Sequence, residues 1–291
     1  MLDFIVNPLA GGKNGKKTKL AVSLITEKLK NLNMDFNFHY TEYPKHAVTL
    51  AAELIKAGAT DIIVVGGDGT LHEVLNGFSD FDRVSLGLIP CGTGNDFASA
   101  AGIPEAPEKA LDIILTRKPQ FTDFMQMPSV RGMNIIGMGI DVDVLRRYEK
   151  TKRKTKLTYT LCLIKSLFKF DYIDFEVETS DGKNENYRSI IAAVANGHRY
   201  GGGIEICPPA KPTDGKLDFV AMREMKKLKL IGAFSKLKKG KVLTLPQAVH
   251  FNATEIEITP KGDYTVNVDG QLYDNIPFKV KIVTDVLRMY R

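Results

Sequence analysis

The sequence predicts an α/β protein with two domains: an N-terminal doubly wound parallel sheet and a C-terminal, mostly antiparallel β-sandwich. Two observations support this prediction. Strand-like and helical segments alternate up to about residue 122, and short strand-like segments dominate beyond it. A length of 291 residues also suits two domains. We place the domains at residues 1–122 and 123–283, and we expect the last residues, about 284–291, to return to the first domain.

The first domain contains short apolar or alternating segments that predict strands. They lie at residues 2–7, 35–41, 61–67 and 85–90. Apolar residues at helical spacing predict helices between them, at residues 19–32, 46–58 and from 71 onward. Because helices separate consecutive strands, the strands are expected to run parallel in one sheet.

The second domain contains short alternating segments bounded by Gly, Asp, Asn and Pro, which are typical of an antiparallel sandwich. The segments lie at residues 175–179, 189–197, 216–222, 255–260, 263–270 and 278–283. A long helical pattern precedes them at residues 152–170, with Leu157, Leu161, Ile164 and Phe168 on one stripe. We expect this stripe to pack in the core; a role at a membrane surface is the alternative.

The composition is that of an ordinary globular protein, with 44% hydrophobic and 25% charged residues. No apolar run reaches the length that a membrane-spanning helix needs, and the N-terminus does not resemble a signal peptide. The three cysteines, Cys91, Cys162 and Cys207, are too far apart for a disulfide framework or a cysteine-rich zinc site. We therefore expect a protein of the reducing cytoplasm.

Basic residues are concentrated in two segments. Residues 150–156 contain five basic residues and residues 226–241 contain seven, and neither segment contains an acid. The rest of the chain has 28 basic and 34 acidic residues, a net charge of −6. The two segments are interpreted either as solvated helix faces or as a patch that binds an anionic surface.

The strongest local signal is the sequence Gly66-Gly67-Asp68-Gly69-Thr70, between a predicted strand and a predicted helix. Glycines let the backbone approach a ligand closely, and the N–H groups of such a loop and of the following helix bind phosphate. Asp68 can lie near a phosphate only if a cation separates the two negative charges. A tight turn capped by an aspartate would explain one glycine and Asp68, but not the whole sequence.

Two further polar loops follow predicted strands of the same sheet, from Asn7 to Lys13 and from Gly92 to Asp96. In an open parallel sheet, ligands bind beyond the carboxyl ends of the strands, so the three loops are expected to converge on one crevice. The glycine spacing matches neither GxxxxGK[ST] nor GxGxxG, so neither a P-loop nor a Rossmann dinucleotide site is indicated.

These motifs resemble those of the soluble bacterial diacylglycerol kinases and YegS-like lipid kinases, which are related to the sphingosine and ceramide kinases. The matching segments span nearly the whole chain, at residues 7–11, 41–47, 66–70, 92–98, 196–203, 209–217 and 269–270. The GGDGT sequence alone is shared with NAD kinases and is similar to a phosphofructokinase motif. The motifs of the second domain, in this order, distinguish the lipid kinases.

The resemblance implies an ATP site in the first domain. Its residues would be Asn7, Pro8, Leu9, Ala10, Gly11, Thr41, Gly66, Gly67, Asp68, Gly69, Thr70, Leu71, His72, Glu73 and Thr93. The resemblance also implies that Asp68 and Asp96 are catalytic and organise Mg²⁺, an ion that prefers few carboxylates together with phosphate oxygens and water.

The resemblance further implies a second, structural Mg²⁺ in the smaller domain. Its ligands would be the Asp214 carboxylate and the backbone carbonyls of Lys211 and Lys216. The residues by themselves favour a simpler interpretation of this segment, a Pro-Thr-Asp-Gly turn.

The chain departs from the family pattern at one position. The family has Asp-Gly-Glu where this chain has Asp269-Gly270-Gln271, and that glutamate is thought to accept the proton of the lipid hydroxyl. An amide cannot act as a general base at neutral pH. The departure implies slow turnover or a base elsewhere, for which Asp269 and Asp68 are the candidates.

The resemblance implies transfer of the γ-phosphate of ATP to the hydroxyl of a membrane lipid, diacylglycerol first, in phospholipid biosynthesis. The expected partners are that lipid and an anionic membrane surface, bound peripherally at the inner face of the membrane, and no nucleic acid; a homodimer is left open. Two alternatives remain: a soluble kinase similar to the NAD kinases, and a nucleotide- or lipid-binding regulator impaired by Gln271. The basic segments and the second-domain motifs favour the lipid kinase.

Overall fold

The computed structural model describes residues 1–12, 15–152 and 155–291, which form two compact units. The first unit comprises Met1–Asp123 and Thr284–Arg291, and the second comprises Phe124–Val283. Lys13 of the first polar loop, and Arg153 and Lys154 of the first basic segment, lie outside the described residues. The same holds for the side chains of Lys156 and Lys227.

The first unit contains a six-stranded sheet with helices. Its strands are β1 (Leu2–Val6), β2 (Phe36–Tyr40), β3 (Asp61–Gly66), β4 (Ser85–Pro90), β5 (Gln120–Phe121) and β17 (Arg288–Met289), in the order β2-β1-β3-β4-β17-β5. Its helices are α1 (Lys16–Asn31), α2 (His46–Lys56), α3 (Asp68–Gly77), α4 (Asp96–Ala100) and α5 (Pro107–Thr116). Strands β1 to β4 pair in parallel, which confirms the predicted parallel sheet.

The central strands of this sheet are buried along most of their length. Strands β1, β3 and β4 are nearly continuous apolar segments, as expected where helices cover both faces of a parallel sheet. Helix α1 packs with α5, and α2 packs with α3. Because β1, β3 and β4 are neighbours and run in the same direction, the loops that follow them lie side by side at one edge.

The second unit contains an eleven-stranded sheet in which neighbouring described strands pair antiparallel. Its strands are β6 (Phe124–Gln126), β7 (Arg131–Gly132), β8 (Ile135–Gly139), β9 (Ile173–Thr179), β10 (Asn184–Ala195), β11 (Leu217–Arg223), β12 (Ala248–Ala253), β13 (Glu255–Pro260), β14 (Thr265–Val268), β15 (Gln271–Asp274) and β16 (Phe278–Val283). Its helices are α6 (Ile140–Glu149), α7 (Lys156–Lys169) and α8 (Lys227–Lys238).

Side chains alternate along these strands between two cores. In β10, Ala192 and Val194 belong to a core built from strands, which also contains Phe219. Their neighbours Ala193 and Ala195 belong to a second core that includes side chains of α6, α7 and α8. A curled antiparallel sheet with an apolar core on each face confirms the predicted mostly antiparallel, sandwich-like second domain.

The expected packing of helix α7 was wrong. Leu157, Leu161 and Phe168 are 70%, 49% and 52% exposed, and Ile164 of the same stripe is half-buried. Tyr159 and Leu163 on the other face are buried in the second core. Both faces of this helix carry apolar side chains, and helical spacing alone does not show which face is buried. Among the described residues, no helix combines the length and apolar character needed to span a membrane.

Candidate active site

The loops after β1, β3 and β4 meet through direct contacts. The Asn7 side-chain nitrogen donates a hydrogen bond to the Thr70 hydroxyl at 3.1 Å, which joins the first loop to the second. A Cβ added to Gly67 would lie 2.9 Å from the Cα of Gly92, so the second and third loops pack backbone against backbone. The three loops therefore converge, as their position after adjacent parallel strands predicts.

The GGDGT sequence forms the transition from β3 to α3. Gly66 ends β3, where a Cβ would lie 2.6 Å from the Thr70 hydroxyl oxygen, and α3 begins at Asp68. Backbone N–H groups of a first helical turn lack acceptors within the helix, and together with the helix dipole they attract anions. The first turn of α3 is therefore suited to bind a phosphate group.

Asp68 connects this turn to helix α4. Its carboxylate accepts hydrogen bonds from the backbone N–H groups of Asp96 and Phe97, both at 3.1 Å. A Cβ added to Gly94 would lie 3.0 Å from Asp96 Oδ2 and 3.1 Å from Asp68 Oδ2. The two carboxylates thus flank a small space that a larger side chain at position 94 would fill. Such a pair of carboxylate oxygens fits Mg²⁺, which completes its shell with phosphate oxygens and water.

The first loop turns at Asn7, whose side-chain oxygen accepts a hydrogen bond from the Leu9 N–H at 3.0 Å. Leu9 is exposed, and Pro8 and Ala10 are half-buried. Gly11 has a φ of 84°, and a Cβ there would lie 2.7 Å from the carbonyl oxygen of Cys91. The first and third loops are thus also in close contact.

The other residues predicted to bind the nucleotide have varied surroundings. Leu71 and His72 are buried in α3, Thr93 is exposed in the third loop, and Thr41 directly follows β2. The Glu73 carboxylate accepts hydrogen bonds from the backbone N–H groups of Lys45 and Ala47 at 3.1 and 3.3 Å. Glu73 therefore caps the start of α2, a role that the sequence did not indicate.

In the second unit, Asp269 and Gly270 form the two-residue turn between β14 and β15. Their φ values of 50° and 92° are those that a type I′ hairpin turn requires. The Asp269 carboxylate accepts hydrogen bonds from the backbone N–H groups of Met133, Asn134 and Ile135, at 2.5, 2.9 and 3.0 Å. These contacts favour a structural role for Asp269, because using it as a base would disturb three hydrogen bonds. Gln271 follows the turn and is half-buried.

A buried carboxylate near this turn escaped the sequence analysis. Asn267 accepts a hydrogen bond from the Gly270 N–H at 2.8 Å and donates one to Asp141 Oδ2 at 3.1 Å. Asp141 is 2% exposed, and burial raises its pKa to about 6 although the Asn267 hydrogen bond opposes the rise. Its Oδ1 atom is buried without a hydrogen-bond partner among the described residues. In the sequence, the signal for this buried carboxylate is an acidic residue within the apolar segment that follows Gly139.

Other second-domain motifs act in packing. The Asn196 side chain donates a hydrogen bond to the Met133 carbonyl at 2.6 Å, which ties β10 to the segment that Asp269 also holds. Gly201 has a φ of 61°, and a Cβ there would lie 2.3 Å from the Tyr159 ring of α7. Glycine is thus required for this loop to pack against α7.

The segment predicted to hold a second Mg²⁺ is a turn. Asp214 is exposed, and its Oδ1 accepts a hydrogen bond from the Lys216 N–H at 3.2 Å. The Lys211 carbonyl accepts one from the Thr213 N–H at 2.8 Å. Two of the three predicted ligand groups thus have hydrogen-bond partners within the turn itself. The second Mg²⁺ remains a prediction.

Two family models match successive parts of the chain. The model described as "Diacylglycerol kinase catalytic domain" matches residues 2–127 and so includes the three converging loops. The model described as "YegS C-terminal NAD kinase beta sandwich-like domain" matches residues 134–291, which is more than half of the chain. The chain belongs to the YegS-like lipid kinase family.

Relatives named as lipid kinases align along most of this chain. A "Probable lipid kinase YegS-like" of Stenotrophomonas maltophilia is 30% identical over 82% of this chain and 81% of the relative. A "Diacylglycerol kinase" of Mycobacterium tuberculosis is 27% identical over 99% of this chain and 94% of the relative. A crystal structure of a diacylglycerol kinase from Bacillus anthracis has a TM-score of 0.73 at 21% identity, covers 99% of this chain and 96% of that one, and shares the fold.

Family membership makes this chain a phosphotransferase of the lipid kinase class, as the motifs predicted. Membership in this kinase family implies that ATP is the phosphate donor. The NAD kinase similarity in the second description concerns the sandwich-like fold of that domain.

Proposed function

We propose that this protein is a Mg²⁺-dependent kinase that transfers the γ-phosphate of ATP to a hydroxyl group of a membrane lipid, with diacylglycerol as the first candidate. The observation that carries the proposal is the convergence of three loops on the first turn of α3, with Asp68 and Asp96 flanking the space at Gly94. Phosphoryl transfer depends mainly on positioning and charge neutralisation, and this arrangement offers both.

The residues of the first unit have distinct proposed roles. The N–H groups at the start of α3 hold phosphate oxygens, and the Asn7–Thr70 hydrogen bond fixes two of the loops that surround them. Asp68 and Asp96 would hold Mg²⁺, which when bound supplies the positive charge that lets the carboxylates and phosphates lie together. The choice of diacylglycerol rests on the names of the family model and of relatives.

The exposed face of α7 supports a membrane lipid as the acceptor. Leu157, Leu161 and Phe168 are exposed on one stripe, and the exposed Lys165 and Lys169 lie next to it by helical spacing. Apolar side chains bordered by lysines are typical of helices that lie in the surface of an anionic membrane. The second basic segment adds exposed lysines in and around α8: Lys226, Lys229, Lys238, Lys239 and Lys241.

A kinase assay with competing acceptors tests the proposal. Purified protein would be incubated with Mg²⁺, γ-labelled ATP and micelles containing diacylglycerol, monoacylglycerol, phosphatidylglycerol, ceramide or sphingosine, and separately with NAD. We expect label in diacylglycerol. Label in NAD alone would support a soluble NAD kinase. Nucleotide binding without label in any acceptor would support the regulator that Gln271 suggests.

A further inference from the structure

Cys207, Asp218 and His250 bring three different metal-ligating groups together on the second unit. Their ligand atoms lie within 4.8 Å of one another, and in the described part of the chain they are the one such group of three or more His, Cys, Asp and Glu residues. Cys207 and Asp218 are buried, and the His250 side chain is 28% exposed. Two of the three ligand groups are thus buried, and the His250 imidazole reaches solvent.

The sheet places these residues on one face. In the antiparallel pairing of β11 and β12, Asp218 lies opposite Asn252, and His250 lies two residues from Asn252 on the same side. Strand β12 pairs with β11 alone in the described sheet, so His250 stands on an edge strand. Cys207 belongs to the loop between β10 and β11, where its N–H donates a hydrogen bond to the His198 carbonyl at 3.1 Å.

The present contacts join all three groups, because the buried Cys207 thiol also hydrogen-bonds to the Asp218 side chain. Asp218 Oδ1 accepts hydrogen bonds from His250 Nε2 at 2.6 Å and from Asn252 Nδ2 at 2.7 Å. A cation would replace the contact between Asp218 and His250, while Asn252 could keep its hydrogen bond to the carboxylate. Such a bond to a ligating carboxylate is the usual second shell of a metal site.

We propose that Cys207, Asp218 and His250 form a binding site for Zn²⁺. Thiolate, imidazole and carboxylate are the ligands that Zn²⁺ takes in proteins, whereas Mg²⁺ prefers oxygen ligands alone. Three protein ligands leave a fourth tetrahedral position for water on the side of His250, which also provides an entry path. The bound ion would join the loop that contains Cys207, and with it the Asp214 turn, to the edge strand β12.

Cobalt binding tests this site directly, because Co²⁺ takes the same ligands and its bond to a thiolate absorbs light. Full-length protein stripped by a chelator would be titrated with Co²⁺ and, by calorimetry, with Zn²⁺. We expect one equivalent of each ion to bind and a sulfur-to-cobalt absorption band to appear. Cys207→Ser should lose the band, and His250→Gln should weaken Zn²⁺ binding by at least about 10-fold.

Cys162→Ser is the matched control, because Cys162 is another buried thiol of the same core and is not part of the cluster. It should keep the band, and we expect Zn²⁺ to raise its melting temperature as much as that of the wild type. A wild-type protein without the band, or a Cys207→Ser protein that keeps it, would overturn the proposal. If Cys207→Ser does not fold, His250→Gln decides, since unchanged Zn²⁺ affinity in that variant also contradicts the site.

Discussion

The Asp68 carboxylate accepts a hydrogen bond from the backbone N–H of Asp96 at 3.1 Å, so the two acidic residues of the candidate active site are joined at the start of α4. A second hydrogen bond, from the Phe97 N–H, engages the other carboxylate oxygen. Asp68 therefore holds the third loop in place as well as being the predicted Mg²⁺ ligand. Experiments on substitutions of Asp68 must therefore measure stability and catalysis separately.

Asp68→Asn should reduce phosphotransfer by at least about 100-fold, because it removes a charge that balances the cation at the phosphates. Asp68→Ala should in addition lower the free energy of unfolding by about 1–3 kcal/mol, because it leaves two backbone N–H groups without their acceptor. Lipid kinase assays and urea unfolding measure the two effects. Asp112→Asn, at a half-exposed side chain of the first unit paired with Lys28, is the control. A folded Asp68→Asn protein with wild-type turnover would refute the catalytic role.

Gln271→Glu should raise kcat on the order of 10-fold or more, because a carboxylate can accept the proton of the attacking hydroxyl and an amide cannot. The KM for ATP should change little, since the nucleotide loops belong to the first unit. Gln247→Glu adds the same charge elsewhere in the second unit and serves as the control. A variant no faster than wild type at any pH from 6 to 9 would contradict the idea. So would a wild-type enzyme that already turns over at about 1–100 s⁻¹.

Asp269→Asn should lower stability rather than the rate of the folded enzyme. Its carboxylate accepts three backbone N–H groups, and an amide has only one acceptor oxygen to replace it. We expect a loss of about 1–3 kcal/mol in the free energy of unfolding, measured in urea. An Asp269→Asn protein that has the stability of the wild type but no turnover would instead support Asp269 as the general base.

The α7 stripe should bind anionic membranes. Leu157→Gln combined with Phe168→Gln should weaken binding to anionic vesicles by about 10-fold or more, since burying even part of two large apolar side chains contributes more than about 1.4 kcal/mol. The melting temperature should not fall, because both side chains are exposed. Leu20→Gln alters a side chain that is 60% exposed on α1 and is the control.

Salt provides a second measurement on the same vesicles. Binding of the wild type should weaken at about 1 M salt, where the Debye length falls to about 3 Å and the lysines are screened. Equal binding to neutral and anionic vesicles, insensitive to salt and to both substitutions, would rule out this surface.

Asp141 predicts a pH dependence of stability. Its pKa is about 6 in the folded protein against an ordinary value of 3.8. Between these pH values the folded protein holds a proton that the unfolded chain has released, so stability should fall as the pH rises from about 4 to about 6. Two pKa units correspond to about 3 kcal/mol.

Asp141→Asn should remove this dependence and be more stable than wild type at pH 7, as measured by urea unfolding from pH 4 to 8. Asp143→Asn changes a half-exposed carboxylate of the same helix that pairs with Arg147, and it should leave the slope in place. An unchanged slope in Asp141→Asn would show that another group is responsible.

Local and periodic features were available from the sequence by itself. Apolar segments alternating with helical ones predicted that β1 to β4 run parallel in one sheet. The loops after β1, β3 and β4 are expected to meet because adjacent parallel strands end at the same edge of a sheet. The order of motifs then indicated the family. Each of these inferences rests on neighbours in sequence or on a rule of chain topology.

Only the tertiary structure decided the features that depend on distant partners. It exposed the Leu157–Phe168 stripe, because the opposite face of α7 packs against the second core. In the folded chain the Asp269 carboxylate accepts hydrogen bonds from backbone N–H groups of residues 133–135, and His250 forms a hydrogen bond with Asp218. Sequence spacing does not encode such contacts, because the face of a helix or strand that becomes buried depends on the packing free energy of the whole domain.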